Sequence, residues 1–227
     1  KGSTVGTYDI TVSGYTSGNY DISYAKGTLT VVPAHLSVSV SGAYIYQGVE
    51  QKVEYTVTGI DGVVLTPGTD YTVTGDKATD AGEHDLRVTG KGNYAGTEVE
   101  YWNISKTPLT VKADDKSVVF MGDAPALTVY YSGFVNRETA AVLGGDLALE
   151  TDYVKGDSPG TYAITASGYT SDNYDITYVP GVLTVDTAMF TLNVSGTYSY
   201  TGSEQTVSYT VNGVNDMTPG KDYTVKG

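Results

Sequence analysis

The chain has 227 residues, with no cysteine, two histidines, and 26 acidic residues against 13 basic ones. The absence of cysteine excludes disulfides, thiol catalysis and thiolate-bound metals within these residues. The excess of negative charge argues against a nucleic-acid partner, and no apolar run has the ~18–20 residues that a membrane helix needs, so we expect no membrane insertion in this segment.

A long internal repeat organises the chain. Residues 6–32 and 160–186 are identical at 19 of 27 positions without a gap, at an offset of 154 residues. The similarity continues from residues 40–59 to residues 194–213, and in the final segment the offset falls to 152 because one loop is shorter. A fixed long period is typical of an array of modules rather than of one globular enzyme.

Two unlike modules alternate within this period. In chain order we predict the C-terminal half of a module A (residues 1–33), a whole module B (34–107), a whole module A (108–187) and the N-terminal half of a second module B (188–227). The linkers are short and often contain proline, which predicts stiff joints. Because half a β module leaves strand edges unpaired, we expect a longer array; the alternative is that neighbouring chains complete the halves.

Short β-strands are predicted in every module. Leu36–Ser41 and Val53–Thr58 are the clearest, since every second side chain is apolar. One segment departs from this pattern: Arg137–Leu143, followed by two glycines, predicts a turn or two of helix. The pattern as a whole predicts an all-β chain. Further predicted strands are Ala126–Ser132, Tyr162–Ser167, Tyr174–Tyr178 and Val182–Val185.

The favoured interpretation of the 21 tyrosines is core and cross-strand packing. Tyr8 and Tyr162 each follow a turn at the start of a strand, where a tyrosine corner ties a loop to its own backbone. His84 occupies the equivalent place in module B, so we expect it to stand in for that tyrosine. The functional alternative is that exposed tyrosines stack on sugars or on a partner chain.

Module A carries a series of sequence blocks in a fixed order: Leu109–Val111, Met121–Thr128, Tyr131–Asn136, Pro159–Ile164, Asp172–Tyr178 and Gly181–Val185. With these blocks the module resembles the MBG domain (YGX type) of bacterial surface proteins. The sequence departs from that family at Phe120-Met121-Gly122, where the family usually has Tyr-Gly.

Module B is marked by Tyr44–Gly48, Leu65–Tyr71, Ala81-Gly82 and Thr89–Gly96. It is similar to a second repeat type found in secreted proteins of Gram-positive bacteria. Together the two resemblances imply tandem small β-sandwich (Ig-like) or β-grasp-like modules in an elongated array. They also imply an extracellular location on a bacterial cell surface, often in an adhesin, and they carry no catalytic residues to transfer.

The residues themselves offer little chemistry. His35 lies in a linker and His84 at the corner position, so we expect neither to be catalytic and no zinc site to form. Lys52 is the obvious strand lysine for an isopeptide crosslink, but Thr206 replaces it in the second copy. We therefore expect no enzyme, no module-wide crosslink and no cofactor.

Calcium is the better metal alternative, because hard oxygen ligands come from loops rich in aspartate. None of the candidate groups has the spacing of an EF-hand or of a nonapeptide repeat, so a solvated acidic surface is the simpler interpretation. The candidates are Asp76 with Asp80, Asp114 with Asp115 and Asp123, and Asp172 with Asp175.

Three functions remain after this survey. The favoured one is a non-enzymatic structural spacer, or stalk, whose partners are neighbouring modules of the same chain and which projects a distal binding domain from the cell. The second is a module that binds host glycans or mucin through tyrosine-rich faces. The third is a filament subunit in which open strand edges pair between like chains.

Overall fold

The structure is a computed structural model that describes residues 3–213 and 223–224. Within these residues the chain forms nineteen strands and two short 3₁₀ turns, Ile60–Gly62 and Ala140–Val142, and contains no α-helix. None of the described residues belongs to a helix long and apolar enough to cross a bilayer. The predicted all-β fold is therefore confirmed.

The chain divides into two compact units. Unit 1 comprises residues 1–107, 135–139 and 172–175, and unit 2 comprises residues 108–134, 140–171 and 176–227. Two short segments of the predicted module A thus belong to the same unit as module B, and these two segments form part of the site described below.

Unit 1 contains a four-stranded sheet in the order β4-β10-β9-β7 and three two-stranded pairs, β1-β2, β3-β6 and β5-β8. In the large sheet β10 is antiparallel to β9 and parallel to β4. The strands are β1 (Gly6–Ile10), β2 (Gly27–Val31), β3 (Ser37–Ser41), β4 (Tyr44–Ile45), β5 (Gln51–Lys52), β6 (Glu54–Thr58), β7 (Tyr71–Thr74), β8 (Lys77–Ala78), β9 (Gly82–Gly90) and β10 (Thr97–Ser105).

The core of unit 1 comes from alternate positions of these strands. Leu86 and Val88 in β9 and Ile104 in β10 are almost fully buried, while their sequence neighbours face solvent. Trp102 is buried on the same side of β10, and its indole N–H donates to the Gly75 carbonyl at 3.0 Å. Burying each such side chain contributes about 1.5–3 kcal/mol, so the period of two fixes which face is the core.

Unit 2 is built from a three-stranded sheet in the order β13-β11-β16, a four-stranded sheet in the order β12-β17-β15-β14, and the pair β18-β19. The strands are β11 (Thr107–Ala113), β12 (Lys116–Val119), β13 (Val129–Ser132), β14 (Ala148–Thr151), β15 (Gly160–Ser167), β16 (Tyr174–Val179), β17 (Gly181–Asp186), β18 (Thr191–Val194) and β19 (Tyr209–Asn212). The first residue of β11 and the first two of β16 belong to unit 1.

The two larger sheets of unit 2 share one core. Ala113 of β11 packs in a single buried cluster with Ile164 of β15 and with Leu183 and Val185 of β17. Tyr153 closes the cluster and donates its hydroxyl to the Gly122 carbonyl at 2.6 Å. Two sheets facing each other across apolar side chains form a β-sandwich, which is the first of the two fold alternatives.

The predicted helix over Arg137–Leu143 is wrong in extent. Only Ala140–Val142 forms a 3₁₀ turn, and Asn136 and Arg137 adopt left-handed φ angles of 48° and 62° that a right-handed helix excludes. The predicted strand at Ala126–Ser132 is also shorter, because β13 begins at Val129.

The sequence repeat is reproduced as a repeat of strand register. In β1-β2, Gly6 faces Val31 and Ile10 faces Gly27. The residues 154 positions later pair identically in β15-β17, where Gly160 faces Val185 and Ile164 faces Gly181. The pairs β3-β6 and β18-β19 show the same correspondence, since Ser37 faces Thr58 and Thr191 faces Asn212. We use counterpart below for residues related by this offset of 154.

Burial does not repeat in the same way. Leu183 is 0% exposed, whereas its counterpart Leu29 is 41% exposed, and Ile164 is 0% exposed against 47% for Ile10. In unit 2 the pair β15-β17 is flanked by β14 and β12, while β1-β2 forms a sheet of two strands only. The same strand pair therefore forms in both places, but within the described residues the copy β1-β2 leaves Ile10 and Leu29 largely exposed.

Candidate functional site

The predicted acidic groups are not gathered into one cluster within the described residues. Among the described residues there is no cluster of three or more His, Cys, Asp or Glu side chains suited to a metal ion. Most of the predicted carboxylates have other partners, and Asp172 and Asp175 are exposed. These partners are Lys52 for Asp76, Asn173 for Asp80, Thr128 for Asp114, the Val182 N–H for Asp115 and Lys155 for Asp123.

The histidines have local structural environments. His84 Nε2 lies 2.9 Å from the carbonyl oxygen of Asp80, four residues earlier. Tyr162 and Tyr8 donate their hydroxyls to carbonyls at the same spacing, at 2.7 and 2.8 Å. The prediction that His84 replaces a corner tyrosine is confirmed, and His35 is exposed in its linker. Lys52 Nζ lies 3.5 Å from Asp76 in an ion pair whose lysine side chain is 59% exposed, which contributes little to stability.

The most developed polar site in unit 1 is a carboxylate held between two tyrosines. Tyr46 follows β4, Tyr174 opens β16, and Glu138 lies in the segment 135–139. The Tyr46 hydroxyl donates to Glu138 Oε1 at 2.7 Å and the Tyr174 hydroxyl donates to Oε2 at 2.5 Å. The two rings meet edge to face with centroids 5.4 Å apart. We call Tyr46, Glu138 and Tyr174 the tyrosine–carboxylate clasp.

Backbone contacts surround the clasp. The Thr107 hydroxyl donates to the Tyr46 carbonyl at 2.5 Å, and the Thr107 N–H donates to the Asn173 carbonyl at 3.0 Å. The Asn173 side chain accepts from the Ala81 N–H at 2.7 Å and donates to Asp80 at 3.0 Å. Segments far apart in sequence are therefore joined by directed hydrogen bonds, each contributing about 0.5–1.5 kcal/mol, or more where a charge takes part.

The loop that presents Glu138 has an unusual backbone. Its two preceding residues, Asn136 and Arg137, both have positive φ, a conformation that costs free energy for residues with a Cβ. Asn136 offsets this cost by donating from Nδ2 to the Gly48 carbonyl at 2.8 Å. Gly48 itself has a φ of 67°, and a Cβ on it would lie 2.8 Å from the Asn136 Cβ. A glycine at position 48 is thus required by both conformation and space.

Burial and charge fix the protonation of the clasp tyrosines. Tyr174 is 2% exposed and Tyr46 is 5% exposed. Burial, reinforced by the hydrogen bond to Glu138, raises the pKa of Tyr174 to about 12, and the same causes raise the pKa of Tyr46 further. Both phenols are neutral donors at physiological pH. The arrangement holds chain segments together and presents no activated nucleophile.

A second feature of unit 1 is a cleft beside β10. Its lining includes Tyr101, which is 57% exposed, and the buried Trp102, whose ring meets that of Tyr44 with centroids 5.3 Å apart. Ser41 and Asn103 supply exposed polar groups. A flat ring beside hydroxyl and amide groups can stack on a sugar and hydrogen-bond to it.

Sequence reasoning missed Glu138 and Asn136, because a single Glu in a polar loop carries no local signal. A signal for the tyrosines was present in the repeat. Tyr46 and Gly48 recur as Tyr200 and Gly202, and Tyr174 recurs as Tyr20.

A comparison with curated proteins finds no match. Among solved structures, the fibronectin(III)-like modules of CbhA from Clostridium thermocellum match with 13% identity and a TM-score of 0.26, over 66% of this chain and 95% of that chain. Residues 1–30 and 109–184 match the family model of the MBG domain (YGX type). The two matched segments lie in the two places where the sequence predicts module A.

Proposed function

We propose that the chain is a structural spacer made of repeat modules, a stalk segment of a bacterial extracellular surface protein that projects a distal binding domain. MBG-type repeats on a β-sandwich fit a repeat module of a surface protein, and such modules are typically not catalytic. The partners we propose are neighbouring modules of the same chain.

The tyrosine–carboxylate clasp is the observation that carries this proposal. It joins residues 92 positions apart through a hydrogen bond that is protected from solvent on the tyrosine side. A spacer under load needs contacts of this kind, because tension along the chain has to break hydrogen bonds and expose rings before segments separate.

Negative-stain microscopy of the purified chain tests the spacer. We expect short unbranched rods, with a wider spread of end-to-end distances in Glu138→Ala than in the unaltered chain. Glu98→Ala is the matched control, since Glu98 is exposed on β10 and lies outside the clasp. Fibres with a regular repeat would instead show an assembly subunit, and particles of no constant length would contradict the spacer.

The cleft beside β10 favours a second candidate, binding of a neutral glycan. Titration calorimetry with the oligosaccharides selected by a glycan array tests it. Tyr101→Ala should abolish heat release, while Tyr130→Ala should not, because Tyr130 is also exposed, at 62%, but is not one of the residues that line the cleft. Equal losses in the two variants, or no selected glycan, would remove this candidate.

A further inference from the structure

Both clasp tyrosines, and the neighbouring Gly48 and Asn173, have counterparts elsewhere in the repeat. Tyr200 and Gly202 are the counterparts of Tyr46 and Gly48, and Gly202 keeps a positive φ of 77° beside the 67° of Gly48. Asn19 and Tyr20 are in the same way the counterparts of Asn173 and Tyr174.

The retained tyrosines are exposed. Tyr200 is 96% exposed and Tyr20 is 79% exposed, whereas Tyr46 and Tyr174 are 5% and 2% exposed. Within the described residues, no hydrogen bond involves the hydroxyl of either exposed tyrosine. An aromatic ring in water with an unused hydroxyl does not stabilise its own hairpin.

Other tyrosines in the same two segments, residues 1–33 and 188–227, do make local hydrogen bonds through their hydroxyls, unlike Tyr20 and Tyr200 within the described residues. The Tyr24 hydroxyl accepts from the Tyr15 N–H at 2.8 Å, as its counterpart Tyr178 does from Tyr169 at 2.7 Å. The Tyr198 hydroxyl accepts from the Ser208 N–H at 2.7 Å, and its counterpart Tyr44 makes the same bond to the Glu54 N–H at 2.7 Å. Local packing therefore accounts for these tyrosines but not for Tyr20 and Tyr200.

We propose that Tyr200 and Gly202 form a docking site for an MBG-type loop of the kind seen at residues 135–139, supplied by a further module of the same polypeptide. A carboxylate in the position of Glu138 accepts a hydrogen bond from the Tyr200 hydroxyl. An amide in the position of Asn136 donates a hydrogen bond to the Gly202 carbonyl. Gly202 has no side chain to block that approach. The proposal rests on the spacer function and names the residues through which one module engages the next.

A second copy of this chain is not the source of the loop, because its Glu138 is already hydrogen-bonded. In a second copy of this chain the Glu138 carboxylate is bonded to its own Tyr46 and Tyr174, so that copy offers no vacant carboxylate at this position. A loop in the same polypeptide has in addition an effective concentration in the mM range, so a clasp of modest affinity forms.

An extended chain tests the docking site. Gly227 corresponds to Gly75 at the offset of 152, so appending residues 76–187 after Gly227 continues the repeat in register. Nitration with tetranitromethane, followed by peptide mass mapping, then reports the exposure of each tyrosine. We expect Tyr200 to react readily in the 227-residue chain and at least about tenfold more slowly in the extended chain, which corresponds to ~1.4 kcal/mol of protection.

Matched variants make the test specific. Glu138→Ala in the appended copy alone should restore the reactivity of Tyr200 and leave Tyr46 protected. Glu138→Ala in the original copy alone should make Tyr46 reactive and leave Tyr200 protected. Tyr15, 72% exposed and outside the clasp, serves as the internal standard in every sample.

Three outcomes would overturn the proposal. The first is a Tyr200 that stays reactive although the appended copy of Trp102 has the fluorescence of a buried indole. The second is an appended tryptophan that stays exposed, because the sequence around Tyr200 then forms no module B. The third is protection of Tyr200 in the 227-residue chain that grows with concentration, since the loop then comes from a second molecule. Rods in negative stain together with a reactive Tyr200 would support the proposed spacer function and contradict only the proposed docking site.

Discussion

Replacing Glu138 with alanine removes the single acceptor shared by two buried phenols. Each hydrogen bond to a charged group contributes about 1.5–3 kcal/mol, and the two bonds measure 2.7 and 2.5 Å. Glu138 is only half-buried, so water can replace part of the loss, and we take the lower end of the range for each bond. We therefore expect Glu138→Ala to lower the free energy of unfolding of unit 1 by about 3 kcal/mol, a large share of the 5–15 kcal/mol typical of a domain.

Urea unfolding followed by tryptophan fluorescence measures this loss, because the chain has one tryptophan and Trp102 lies in unit 1. Glu138→Gln keeps one acceptor oxygen and should cost roughly half as much, whereas the control Glu98→Ala should stay within about 0.5 kcal/mol. A decrease of less than about 0.5 kcal/mol in the free energy of unfolding of Glu138→Ala would refute the reasoning. Water would then replace the two lost hydrogen bonds at almost no cost.

Three further predictions concern matched positions. Because the pKa of Tyr174 is raised from 10.0 to about 12, its contribution to stability should be complete below pH 10 and lost as pH rises to 12; urea midpoints across that window should fall less steeply in Tyr174→Phe, and an unchanged slope would contradict this. Leu183→Ala should cost about 2–5 kcal/mol and Leu29→Ala under about 1 kcal/mol by circular dichroism in urea, since the first side chain is 0% exposed and its counterpart is 41% exposed; equal losses would contradict the core assignment. Gly48→Ala should lower stability more than Gly202→Ala in the same assay. Both glycines have positive φ, but only at position 48 would the new Cβ meet the Asn136 Cβ. Equal losses would contradict this, because the loop that carries Asn136 would then move aside at no cost.

The fold was largely predictable because its signals are local. Alternation at Leu36–Ser41 and Val53–Thr58 corresponds to β3 and β6, each one residue shorter at its start. The helical expectation at Arg137–Leu143 failed because Glu138 hydrogen-bonds to two tyrosines distant in sequence. The two residues before it adopt left-handed φ angles, which place its carboxylate between the tyrosines. Propensity describes a segment alone, and here tertiary contacts override it.

The candidate site was not predictable in the same way. The repeat marked Tyr46 and Tyr174 as recurring tyrosines, but recurring tyrosines also form corners, as Tyr162 does. What distinguishes a clasp tyrosine from a corner tyrosine is its acceptor, which is a carboxylate 92 positions away for Tyr46 and a carbonyl four positions away for Tyr162. Only the folded chain brings Tyr46 and Glu138 together.

The sequence by itself determined the repeat period and the corner hydrogen bonds, because the period is visible in the aligned residues and each corner bond joins residues four positions apart. The repeated residues also pair in the same register, since β1-β2 and β15-β17 correspond at an offset of 154. The tertiary structure alone decided which copies are buried and which tyrosines share Glu138. Burial requires neighbouring strands and segments from elsewhere in the chain, so identical side chains such as Leu29 and Leu183 differ in exposure from 41% to 0%.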